Sequence, residues 1–222
     1  MSLWELKESL RPAVKTPQVA PFVQMVGERA FYNAPLAEPV LISSADFYTE
    51  FAGKMVAAAP NLNLATWYEE DLRYGVETVP GGPVNFLHDQ STVVGCITSA
   101  NLAVNENQVT HIAIEGRLWN WLAPNIVDRV VEEYQSRGAW LSMECVPQFL
   151  ECQACMAKVP FDRVDIGGCA HMSPRTAAVR MVHPVFLGVA LIIAPEAPGW
   201  PGATIDYISA AVEKACTIDR SC

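Results

Sequence analysis

Several things are scarce in this chain, and each scarcity excludes something. A membrane-spanning helix needs roughly 18 or more consecutive apolar residues. No such run occurs, although 51% of the 222 residues are hydrophobic and the mean hydropathy is +0.17. Basic residues are few: 15 Lys and Arg stand against 24 Asp and Glu, giving a formal charge of −9. No Lys/Arg cluster offsets the repulsion this charge exerts on a phosphate backbone or an anionic lipid surface. Neither nucleic acid nor membrane is therefore expected as a partner. The opening residues "MSLWELKESLRPAVK" lack the basic, apolar, then small-residue order of a secretory leader, so a cytoplasmic protein with reduced thiols is expected. The seven cysteines are an odd number and read poorly as a disulfide framework. Internal repeats and low-complexity tracts are also missing.

What is present divides into three parts. Residues 1–39 carry Pro12, Pro17, Pro21, Pro35 and Pro39 and no sustained periodicity, which predicts an extended arm with a short helix near Leu3–Leu10. Residues 40–202 form the main domain. It opens with an apolar strand, followed by a helix on which Phe47, Phe51 and Met55 mark one face. "STVVGCITSANLAV" and "QVTHIAIEGRLW", joined by "NEN", predict a β-hairpin. "APNIVDRVVEEYQSRG" predicts the clearest helix, with Pro124 in its first turn, an apolar stripe of Ile126, Val127, Val130 and Val131, and Gly138 as its stop. Two more strands follow, "AWLSMECVPQF" and "HPVFLGVALIIAPEAP", separated by a cysteine-rich insert at 151–172. Residues 203–222 form a tail, with a surface helix expected over Ile205–Ala215. Because only one good strand–helix alternation occurs, a mainly β (α+β) fold is expected, with a mostly antiparallel barrel or curled sheet and flanking helices.

The insert holds Cys152-x2-Cys155, then thirteen residues, then Cys169-x-His171. A CxxC pair can hold one metal ion with both thiolates, and a later Cys and His complete a tetrahedron. Three soft thiolates and an imidazole suit Zn2+, and a full set of four protein ligands would make the site structural; the alternative is a loop of free thiols. The insert has little apolar content of its own, so a metal clip would supply its cohesion.

Chemistry-bearing groups also cluster in "LSMEC". Strand alternation puts Ser142 and Glu144 on one face, and Leu141, Met143 and Cys145 on the other. A serine nucleophile needs a neighbouring base to take its proton. Of the four histidines, His171 belongs to the metal set, which leaves His88, His111 and His183.

The order of these motifs resembles that of the prohead (capsid maturation) serine proteases of tailed phages, relatives of the herpesvirus assemblin proteases. "FLHDQSTVVGCITSA" is similar to their histidine motif, "AWLSMECVP" to their nucleophile strand, and "FLGVALIIAPEAP" to the strand after it. The match spans roughly residues 83–200. It implies a curled antiparallel β-barrel of the assemblin type, Ser142 as nucleophile and His88 as general base. The third member is open. Gly188 stands where some of these proteases place an acid, and His183 matches the second histidine of the herpesvirus enzymes by order in the chain. Glu144 is another orienter, although strand geometry aims it beside the serine rather than behind the histidine. Arg175 and Arg180 are candidates for assisting the oxyanion.

The resemblance also implies capsid and scaffold proteins as substrates, self-association, and a location in the host cytoplasm within assembling proheads. The other reading of the chain is a non-catalytic, zinc-containing capsid assembly or scaffold protein on the same fold. An enzyme using Cys145 ranks behind both, because that thiol faces away from Ser142.

Overall fold

The computed structural model describes residues 47–209, apart from 173 and 174, together with the backbone of 23–26, 29–32 and 40–43. The expected helix near Leu3–Leu10 and the part of the tail helix beyond Ser209 lie outside the described residues. The chain divides into two units, 1–46 and 47–222. In the first, β1 (Val23–Val26), β2 (Arg29–Tyr32) and β3 (Val40–Ser43) pair as an antiparallel sheet in that order. Part of the predicted arm is therefore a meander rather than an extended segment.

The second unit begins with a correction. Residues Tyr48–Ala57 form a strand, β4, and not the expected helix. Phe51 and Met55 are four apart, a spacing that serves both a helix face and a strand face. The alternate residues decide between them: Thr49 and Gly53 are buried as well, so every second residue points inward. β4 pairs along its length with β8 (Thr110–Trp119), which forms the predicted hairpin with β7 (Asp89–Val104). Phe51 lies opposite Gly116, and a Cβ there would run into the Phe51 ring.

The remaining elements are β5 (Ala65–Thr66), α1 (Glu69–Gly75), β6 (Pro83–Phe86), α2 (Pro124–Ser136), β9 (Trp140–Cys152), β10 (Lys158–Pro160), α3 (Val164–Gly167), β11 (Val179–Ile192) and β12 (Ile205–Ile208). α2 matches its sequence expectation. Val127, Val130 and Val131 are buried, and Gly138 takes φ +90° while its N–H donates to the Glu133 carbonyl at 2.8 Å. β12 replaces the first turn of the expected tail helix. A bulge between Ile205 and Tyr207 shifts the alternation, so that Ile205 and Ile208 both face inward at a helix-like spacing.

The sheet runs β10-β9-β11-β6-β7-β8-β4-β12, with β5 beside β11. It is mainly antiparallel, but β5 and β6 both pair with β11 in parallel, so the sheet is mixed. It is also an open ladder and not the closed antiparallel barrel expected. Near its ends, Trp140 and Thr204 form an isolated bridge, flanked by Leu141 N–H to Ala203 O at 2.8 Å and Ile205 N–H to Ala139 O at 3.1 Å. The core on the inner face includes Trp67, Leu72, Ile97, Ile112, Leu118 and Leu141.

A buried ion pair locks α1 to β11. The Asp71 carboxylate is fully buried and accepts from Arg180 Nε at 2.7 Å, Arg180 Nη2 at 3.1 Å and the Tyr68 N–H at 2.9 Å. Arg180 also reaches Glu70 at 2.7 Å and stacks over the Tyr68 ring. Its charge is thus spent on structure, away from any oxyanion. Removing one partner of such a pair strands the other, so Asp71→Ala should cost about 3–5 kcal/mol in urea unfolding. A loss within about 0.5 kcal/mol, typical of a surface change, would contradict this.

Candidate active site and metal centre

The site is assembled on three adjacent strands. In the row Asn85–Ala190–Ser142, each residue is the register partner of the next, across β6, β11 and β9. One step along, Glu144 lies opposite Gly188. Ala190 and Gly188 present almost no side chain, so nothing bulky separates the groups of β9 from those of β6.

His88 enters from above this floor. β6 and β7 are joined by the two-residue turn Leu87–His88, and both residues have positive φ (53° and 61°). That is the backbone a tight hairpin turn requires, normally supplied by Asn or Gly. Placing two side-chain-bearing residues there costs on the order of 1 kcal/mol each, the kind of strain that collects at functional sites. The Leu87 N–H donates to Leu191 O at 3.0 Å, which ties the turn to β11.

So held, the imidazole bridges the two polar residues of β9. His88 Nε2 lies 2.9 Å from Ser142 Oγ, and His88 Nδ1 lies 3.0 Å from Glu144 Oε1. Residues i and i+2 of a strand are about 7 Å apart on one face, close to the length of an imidazole with a hydrogen bond at each end. This overturns the expectation that Glu144 would sit beside the serine. It lies behind the histidine, because the ring is laid along the strand.

A carboxylate can only accept, so Nδ1 donates to Glu144 and Nε2 is left to accept from the Ser142 hydroxyl. The acid next in sequence, Asp89, is occupied elsewhere. It accepts from Ser91 Oγ and Thr92 Oγ1 at 2.6 Å each and from Ser91 N–H at 2.9 Å, and these bonds lower its pKa.

A fourth member was not visible in the sequence. Asn85 is buried and donates Nδ2–H to Glu144 Oε1 at 3.1 Å, while its Oδ1 has no partner among the described residues. The only signal was a polar residue between Val84 and Phe86 in a short apolar strand. Trp67 was missed as well. It is buried with no partner for its Nε1–H among the described residues, and it lines the clefts beside Ser142.

Other expectations fall away. His183 lies far along β11 from Ala190. Its Nδ1 faces Gln148 Oε1 at 3.1 Å and its ring stacks on Tyr74, so Glu144 occupies the place considered for it. Arg175 donates Nη1–H to Asn63 O at 2.8 Å. Burial pushes the Cys145 thiol up to about 12, which keeps it protonated and a poor nucleophile.

The metal residues converge at the far end of β9. One donor atom from each of Cys152, Cys155, Cys169 and His171 lies within 4.8 Å of all the others. Cys152 ends β9, Cys155 lies in the turn to β10, and Cys169 and His171 follow α3. Burial acts to raise the Cys152 pKa. Backbone N–H groups of Cys155 and Ala154, with help from the Cys155 and Cys169 thiols, overcome this and bring it to about 7. Amides aimed at sulfur stabilise thiolate, so the donor set fits a single cation. Two apolar residues of the insert, Val159 and Met172, pack with Leu150 of β9 and Val179 of β11 around Cys152 as a small second core.

Among the described residues no helix is long and apolar enough to cross a membrane. No family model matches the chain, and neither does any curated protein.

Proposed function

We propose that the chain is a serine endopeptidase of the prohead maturation type. The observation that carries this is the continuous relay Ser142–His88–Glu144, with both hydrogen bonds near 3 Å. Ser142 Oγ attacks a peptide carbonyl carbon and passes its proton to His88 Nε2. The tetrahedral intermediate collapses, the C–N bond breaks, and His88 returns the proton to the leaving amine. Water then attacks the acyl-serine while His88 takes its proton. The second collapse releases the acid and restores the Ser142 hydroxyl. Glu144 holds the imidazole in the required tautomer and stabilises the imidazolium, and Asn85 holds Glu144.

The motif order resembling the phage proteases supports the more specific part. Glu144, opposite Gly188, brings an acid to the neighbourhood where some of those enzymes carry one on the following strand. The bridge from Trp140 of β9 to Thr204, just before β12, accords with a curl of the assemblin kind. The substrates are then capsid and scaffold proteins, met inside assembling proheads in the host cytoplasm, where copies of the chain self-associate. Zinc in the Cys3His site cross-links the insert and takes no part in the chemistry.

A fluorophosphonate probe should label the purified protein, and Ser142→Ala should abolish labelling with its circular dichroism unchanged. Folded wild-type protein that shows no Ser142-dependent labelling would instead point to a non-catalytic assembly protein.

A further inference from the structure

Two clefts meet at the relay, sharing Trp67, His88 and Met143 as a common wall. Successive residues of β9 walk from one into the other. Leu141 and Ser142 line the first, and Glu144, Cys145 and Pro147 line the second. The first cleft is otherwise walled by Met55, Ala57, Ala59 and Trp200, with the amides Asn61 and Asn63. The second is closed by Met181, Leu187 and Phe161, with the Gln90 amide on its wall. Leu187 and Phe161 are 47% and 41% exposed, so apolar surface is on offer beside the nucleophile.

Among the described residues neither cleft is lined by Lys, Arg or Asp, and the acid that lines them, Glu144, is committed to His88 and Asn85. A charged side chain entering either cleft would leave water without gaining a counter-ion, which is unfavourable. An apolar one would bury its surface against Leu187, Phe161, Met181 or Trp200 at a gain. A ligand that fills both clefts must also pass across Ser142, as an extended chain does and a small ester does not.

We propose that the site selects extended peptides with uncharged side chains on both sides of the scissile bond, apolar on the side facing Leu187 and Phe161. This rests on the reading of Ser142 as a nucleophile. The test is to incubate the full-length protein with an unbiased peptide mixture and read the cleavage sites by mass spectrometry, with fluorophosphonate labelling in parallel. Charged residues flanking the cut should be depleted at least about tenfold. Leu187→Glu should lower cleavage of apolar sites about tenfold and admit Lys- or Arg-containing ones, since a new charge redirects specificity as well as blocking it.

A requirement for a charged residue at either flanking position would overturn the proposal. So would an unchanged preference in Leu187→Glu, or labelling of Ser142 with no peptide cut. If Ser142 is not labelled at all, the nucleophile reading itself fails, and the subsite proposal fails with it.

Discussion

Glu144→Gln should lower kcat/KM for a cleaved peptide by about 10^3- to 10^4-fold, the loss seen when the acid of a serine relay becomes an amide. The substitution keeps shape and volume, so the strand and its packing should survive. What goes is the negative charge facing Nδ1. Without it, the imidazole is free to adopt the wrong tautomer, and the imidazolium formed during attack has no counter-charge. Glu144 is 16% exposed against 48% for His88, so water screens the pair only partly and the effect should be large. Steady-state kinetics with matched thermal melts measures it. A decrease below tenfold in a normally folded variant would remove Glu144 from the relay.

Loss of the metal should have the second-largest effect. Protein purified without chelator should carry one zinc per chain by elemental analysis, and Cys152→Ser or Cys169→Ser should abolish that binding. Metal held by four protein ligands contributes folding energy directly, since the set does not exist in the unfolded chain. The small core of Leu150, Val159, Met172 and Val179 cannot hold the insert alone, so strong chelation should lower the Tm by about 5 °C or more. Proteolytic nicking should then appear in the 153–178 connection before it appears elsewhere. Substoichiometric zinc in untreated protein, or an unchanged melt after chelation, would refute the clip.

Some of this was legible in the residues. The metal set could be read because ligand spacing is local chemistry: Cys152 and Cys155 share a turn, and Cys169 and His171 share another. Ser142 and His88 could be paired by motif order, and α2 by its caps and stripe. Other parts were hidden for identifiable reasons. β4 reads as a helix in sequence because Phe51 and Met55 sit at a spacing common to both periodicities, and β12 does so because a bulge mimics a helical step. Glu144 stands out in sequence as a candidate, but its place behind the histidine does not, because the approach of His88 depends on the β6–β7 turn. Asn85 was hidden because its role exists only through the β6–β11–β9 row, which brings residue 85 beside 144.

That row has a consequence for the order of events in folding. β9 and β11 form a ladder across the insert, and β6 and β7 form a tight hairpin, so each is a comparatively local product. The floor that brings His88 over Ser142 comes from the parallel pairing of β6 with β11, whose partners Val84 and Val189 lie more than a hundred residues apart along the chain. Long-range parallel pairings close slowly, because the loop entropy must be overcome before the contacts repay it. A nascent or half-folded chain therefore holds a serine and a histidine that have not met. On the proposed protease reading, hydrolytic competence would arrive only with the completed sheet, and the topology would act as a timer on when cutting can begin.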